Sequence, residues 1–145
     1  MKGARGTTDY YPDEEFVKQS VFASLSSTAK SFGFNAVSPP IIEPFSLLSK
    51  KQGDEIRSQI FNLEKKGSEE LALRAELTPS FARMYISMEK SLAKPVKWFA
   101  IDRMYRYERP QKGREREFYQ FNVECYGSDQ MASDAEIIQL AVAGL

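Results

Sequence analysis

Apolar residues in the first part of the chain recur at helical spacing. Phe22, Leu25, Ala29 and Phe32, with Val17 and Val21 beside them, follow a 3.6-residue repeat and predict an amphipathic helix over 13–32. The glycine-rich residues 1–12 lead into it through the turn-like Asp9-Tyr10-Tyr11-Pro12-Asp13. Gly33 stands where a helix-ending C′ glycine belongs. Phe34 to Ile42 reads as a short extended segment. Pro39, Pro40 and Pro44 confine it to a sheet edge or an irregular strand, because proline has no N–H to donate. Residues 45–57 carry a weak helical pattern interrupted by Gly53. Ile60–Leu63 and Leu71–Arg74 are short apolar runs on either side of Glu64-Lys65-Lys66-Gly67-Ser68, the pattern of a β-hairpin.

Thr78 and Pro79 offer an N-cap and a first helical residue whose missing N–H costs nothing. The helix they start should run to about Glu89 and end before Pro95. Lys97–Tyr107 is rich in aromatic and β-branched residues and predicts a long strand. Pro110–Arg116 is a polar, basic loop, and Glu117–Tyr126 is a second strand. From Asp134 onward, Ala135, Ile138, Leu140 and Ala141 begin another helix. Strands interleaved with helices, including at least one hairpin, predict one α+β domain around an antiparallel sheet.

Side chains alternate along a strand, so residues two apart share a face. One face of the second strand collects Phe118, Gln120, Asn122, Glu124 and Tyr126; the other collects Tyr119, Phe121, Val123 and Cys125. Arg106 and Glu108 share a face of the preceding strand. If the two strands pair around 110–116, their polar faces lie side by side. Such a face is unlike a core, where each unpaired polar group costs a few kcal/mol. It can be the wet side of an antiparallel sheet, or it can bind a ligand. Arg106 brings a planar donor fork for phosphate or carboxylate. Phe118 is a flat plate for a purine, and Lys112, Arg114 and Arg116 can neutralise phosphates. Glu76-Leu77-Thr78, ahead of a helix N-terminus, can hold an ammonium group or an anion, although a helix cap also explains Thr78-Pro79.

Composition narrows the chemistry. The 145 residues carry 20 basic and 20 acidic side chains, a formal net charge of zero, so RNA contact would need a local patch. With one cysteine and no histidine, an internal disulfide is excluded, and zinc sites and His-based triads lose their usual groups. No run reaches roughly 18 apolar residues, and Met1–Gly6 lacks the apolar core of a signal peptide, which predicts a cytoplasmic protein with no membrane partner.

Met104-Tyr105-Arg106-Tyr107-Glu108-Arg109-Pro110, the basic loop, and Arg116-Glu117-Phe118-Tyr119-Gln120-Phe121-Asn122-Val123-Glu124 resemble motif 2 of the class II aminoacyl-tRNA synthetases. Arg109-Pro110-Gln111-Lys112-Gly113-Arg114 and the Gln120/Glu124 pair resemble the histidyl type. So do Leu73-Arg74-Ala75-Glu76-Leu77-Thr78-Pro79, the opening Gly6-Thr7-Thr8-Asp9-Tyr10-Tyr11-Pro12, and Pro40-Ile41-Ile42-Glu43. The matches fall in the family's order over nearly the whole chain.

The resemblance implies a class II antiparallel sheet flanked by helices, with motif 1 at about 13–44 and motif 2 at about 98–127. It implies ATP with magnesium, L-histidine and tRNA(His) as substrates. Arg106 would be catalytic, gripping the α-phosphate and the histidine carboxylate. Glu108, Arg114 and Phe118 would bind ATP with it, Glu108 at the adenine amino group and Phe118 on the ring. Arg116 would lie near the phosphates or the tRNA end. Glu76, Leu77, Thr78, Gln120 and Glu124 would line the histidine site with Arg106; no protein metal ligand is implied. Motif 1 would form a homodimer.

Ala75 stands where the family usually has proline. Motif 3 and the anticodon-binding domain have no counterpart in these residues. The resemblance therefore implies a truncated domain with exposed apolar surface, unable to aminoacylate tRNA alone. Three rivals share some of the pattern: a histidine-binding regulatory paralogue of the ATP phosphoribosyltransferase type, a prolyl or threonyl synthetase, and a non-enzymatic RNA-binding module.

Overall fold

The structure is a computed structural model that describes residues 3–50 and 57–145. Helix α1 spans Pro12–Ser31, with proline in its first turn and Asp13, Glu14 and Glu15 at its positive end. It closes as the sequence predicts. Gly33, at φ +79°, donates its N–H to Lys30, and Phe34 donates back to Ala29, each at 3.0 Å. These two bonds are a Schellman motif, and Ala29 and Phe34 make its apolar contact in the core. The inward stripe is Phe22, Leu25, Ala29 and Phe32. Val17 and Val21 lie outside it, 62% and 50% exposed, as does Phe16 at 75%.

The extended segment after α1 yields two short strands, β1 (Asn35–Ala36) and β2 (Ile42–Pro44), separated by the prolines. Helix α2 (Phe45–Ser49) follows; the rest of the weak helix expected over 45–57 lies largely outside the described residues. Strand β3 is Leu71–Leu73, helix α3 is Thr78–Met88 with a 3-10 turn at Glu89–Ser91, and β4 is Val96–Tyr105. Strand β5 covers Glu117–Tyr126, as predicted, and α4 is Met131–Gly144, starting three residues before Asp134.

Among the described residues two sheets result: β1-β4-β5, and β2 with β3. The long strands β4 and β5 are neighbours. Their sense is antiparallel, because Arg103 meets Tyr119 near the loop while Trp98 meets Tyr126 at the far end. Strand β1 adds a parallel edge, with Asn35 opposite Trp98 and Ala36 opposite Phe99. The expected hairpin between 60–63 and 71–74 is made as a short antiparallel pairing: the Leu63 and Leu73 N–H groups donate to the Leu71 and Phe61 carbonyls at 2.9 and 3.0 Å, with Asn62 opposite Ala72. The other edge of β3 pairs with β2, Ile42 opposite Leu73. Ala72, at the centre of β3, is flanked on both sides and fully buried.

Contacts divide the molecule into two compact units. The first holds the residues up to Asp9, Pro39–Arg83 and Asp102–Gln120. Its core contains Phe45, Leu48, Ile60, Ala72 and Ala75. Arg74 is wholly buried there and donates to the carbonyls of Pro39 (2.7 Å), Pro40 (3.2 Å) and Arg103 (3.1 Å), while pairing with Asp102 at 2.5 Å. One guanidinium thus satisfies the carbonyls of a proline-rich turn that cannot form a regular strand. Glu43, 2% exposed, is paired with Arg83 at 2.7 Å.

The second unit holds Tyr10–Ser38, Met84–Ile101 and Phe121–Leu145. Ala29, Phe34, Phe99 and Leu140 form its core, with Phe32, Phe121, Val123 and Ile137 packed on them. Phe121 and Val123 are thus on the inward side of β5, as alternation requires. The chain is α+β, as its pattern predicts.

Candidate functional site

In the first unit, Arg106 follows the end of β4 and its backbone N–H donates to the Arg116 carbonyl at 2.9 Å, closing the loop between the strands. Its Nε donates to the Ala75 carbonyl at 3.0 Å, and its guanidinium lies 5.1 Å over the Phe118 ring. Arg106 and Phe118 therefore share a side, as the strand pattern predicts. One nitrogen of Arg106 anchors the side chain, which leaves the rest of the fork for a planar anion.

Two positions along from Phe118, Gln120 buries its amide oxygen, and that atom has no hydrogen-bond partner. A buried acceptor without a donor is costly and calls for a donor group. Glu108 turns back through a bond from its N–H to the Arg106 carbonyl, 2.9 Å. Its carboxylate meets Arg114 at 3.4 Å, and its carbonyl accepts from Arg116 Nε at 3.0 Å. The Arg114 side chain is 66% exposed, so this ion pair is weak and easily exchanged for a phosphate. The loop tip is a tight turn in which Gln111 and Arg114 exchange backbone bonds, with Gly113 at φ +77°.

Glu76 and Thr78 are half-buried at the start of α3. Thr78 is the first helical residue and Leu77 precedes it, its carbonyl accepting from the Phe81 N–H at 3.0 Å. The helix thus begins one residue earlier than a Thr78 cap implies, and the cap reading of Thr78 is corrected. The Leu77 side chain is fully buried, so any contact it makes with a ligand comes from its backbone.

The pattern did not reveal what holds the loop. Gly6, at φ +85°, accepts from both the Arg116 N–H (2.8 Å) and the Glu117 N–H (3.1 Å). Thr8 Oγ1 donates to Glu115 at 2.7 Å. A side chain at position 6 would press on Arg116, its Cβ within 3.1 Å of the Arg116 nitrogen. The signal was present in the glycine-rich start, but nothing local says where that segment docks.

In the second unit, Glu124 lies half-buried on the later part of β5. Asn122 Nδ2 donates to one of its carboxylate oxygens at 2.9 Å, and the Tyr126 hydroxyl donates to the other. Burial, reinforced by that bond, pushes the Tyr126 phenol well above the usual tyrosine range. Asn122, Glu124 and Tyr126 thus share a face, as alternation predicts. Among the described residues no group of three or more His, Cys, Asp or Glu side chains could hold a metal ion, and no helix is long and apolar enough to cross a membrane.

The sequence profile of the family described as "Histidyl-tRNA synthetase" matches residues 6–145. A protein named "Histidine--tRNA ligase" from Haloarcula marismortui is 40% identical over 138 residues, covering 95% of this chain and 32% of its own length. The chain thus spans about a third of the curated relatives it matches. Solved structures share the fold. The apo histidyl-tRNA synthetase of S. aureus superposes with a TM-score of 0.83 at 24% identity, over 99% of this chain and 34% of its own. A Bacillus halodurans protein described as an ATP phosphoribosyltransferase regulatory subunit/histidyl-tRNA synthetase gives 0.86 at 24%, over 99% and 37%. At that identity the two structures speak for the fold, which is of the class II synthetase kind.

Proposed function

The chain belongs to the histidyl-tRNA synthetase family, and on that premise we propose that it carries the motif 1 and motif 2 parts of a catalytic domain that activates L-histidine with ATP and transfers it to tRNA(His). The observation that carries the reading is the buried, unpartnered oxygen of Gln120. It lies two positions along β5 from Phe118, whose ring is covered by the Arg106 guanidinium. An acceptor with no protein donor suits the α-ammonium of an amino acid; a fork beside an aromatic plate suits a nucleotide phosphate and its purine.

In this reading the histidine carboxylate attacks the α-phosphorus, and pyrophosphate leaves with its magnesium. Arg106 neutralises charge as the bond forms. Phe118 and Glu108 hold adenine, and Arg114 exchanges Glu108 for a phosphate oxygen. Glu76, the Leu77 backbone, Thr78 and Gln120 take the amino acid, and Glu124 takes its imidazole. No protein nucleophile is required, which suits a sequence with no histidine. Helix α1 and the segment to Pro44 meet a second copy, and the protein works in the cytoplasm.

Histidine-dependent ATP–pyrophosphate exchange on the complete product of the encoding gene tests this. Exchange with histidine alone among the amino acids is expected, and Arg106→Ala should lower it by about 10²–10³-fold. Histidine binding without exchange would overturn the enzyme in favour of a regulatory protein. Exchange with proline or threonine would overturn the choice of amino acid.

A further inference from the structure

Glu124 is gripped on both carboxylate oxygens by residues of its own strand. Asn122 and Tyr126 stand two places before and after it, on the same face. Tyr126 is itself fixed from outside the strand. Its ring stacks on Tyr85 with centroids 4.6 Å apart and planes 10° from parallel. Trp98, which is 9% exposed, packs on it in a T-shaped pair with centroids 6.2 Å apart. The hydroxyl that reaches Glu124 therefore sits on a ring with little freedom to move.

A glutamate side chain has three rotatable torsions, and a free one must be ordered when a ligand arrives. Here that ordering precedes binding. Each oxygen of an ionised carboxylate has two acceptor positions, and the two donors occupy one on each. The remaining lone pairs can accept only from a donor, such as an N–H of an imidazole; a carbonyl or a second anion finds no partner. We propose that Tyr126, helped by Asn122, is a positioning residue that presets Glu124 to receive the imidazole N–H of histidine and so contributes to the choice of amino acid. This rests on Glu124 being the imidazole-reading group of the proposed synthetase.

Tyr126→Phe separates donor from packing, since it keeps the ring on Tyr85 and Trp98. In the complete gene product it is expected to raise the histidine KM in pyrophosphate exchange by about tenfold. The ATP KM and the melting temperature should stay near wild type. Histidine affinity from equilibrium dialysis then closes a double-mutant cycle. In a Glu124→Ala background, Tyr126→Phe should have no further effect, because the group it positions has been removed.

A histidine KM unchanged in Tyr126→Phe would overturn the proposal. So would histidine and ATP KM rising together, or the two substitutions adding fully, since either marks a purely structural role. A wild-type protein that neither binds nor exchanges histidine would remove the Glu124 assignment and the proposal with it. That result is seen before any substitution is made, so it is distinct from failure of the positioning role.

Discussion

Gln120 buries its amide oxygen without a donor, and an unpaired polar atom of that kind costs about 1–3 kcal/mol. A residue retained only for stability would be better as an apolar one of the same size. Gln120→Met should therefore leave the unfolding free energy unchanged or raised, by up to about 1 kcal/mol, in urea denaturation of this chain. In the complete gene product it should raise the histidine KM about tenfold or more. A clear loss of stability would mean that the amide makes a structural contact. Tyr126 couples stability to pH. Its phenol is held above the usual range by burial and by the bond to Glu124, so the folded state favours the protonated form. That contribution is whole below about pH 10, where an unfolded tyrosine ionises, and fades as pH rises beyond it. Stability followed by urea unfolding should fall above about pH 10, and less steeply in Tyr126→Phe. Parity along β5 placed Phe118, Gln120, Glu124 and Tyr126 on one face from the sequence. Which of them had partners depended on Tyr85, Trp98 and Asn122.

Among the elements, the β4–β5 loop depends on a segment about a hundred residues away. Gly6 accepts two consecutive N–H bonds from Arg116 and Glu117 in a left-handed conformation. Gly6→Ala adds a Cβ where the backbone disfavours one and where Arg116 already stands. The cost, about 1–2 kcal/mol from the backbone alone, should appear as roughly tenfold faster hydrogen exchange at the Arg116 and Glu117 amides. Unchanged exchange would show that the loop holds itself. The long elements α1, α3, β4 and β5 were legible because each repeats a pattern over ten or more residues. The short ones were legible only in part. Residues 60–63 and 71–74 read as a hairpin and pair as one through Asn62 and Ala72, but nothing local showed that β2 takes the other edge of β3. Three residues carry too little pattern to name a distant neighbour. Arg74 read as the end of an apolar run, whereas the carbonyls of Pro39, Pro40 and Arg103 make it the buried tie of the first unit.

Across the whole molecule, α1 leaves Phe16, Val17 and Val21 exposed. Val17 and Val21 lie one helical turn apart. Apolar groups grouped in this way suit an association surface, as the second copy proposed above would need. In sedimentation at tens of micromolar the chain should run as a dimer, and Val17→Glu with Val21→Glu should return it to monomer without loss of helix by circular dichroism. A wild-type monomer under those conditions would remove motif 1 as the interface for this chain. The face that carries Arg106, Phe118 and Gln120 was determined by the sequence alone. Strand alternation is a local rule. Which atoms are satisfied was decided only by the tertiary structure. The Gln120 oxygen is orphaned, Glu124 is gripped on both sides, and Gly6 pins the loop. Hydrogen bonds across distant segments depend on where the chain returns, and no local spacing encodes that.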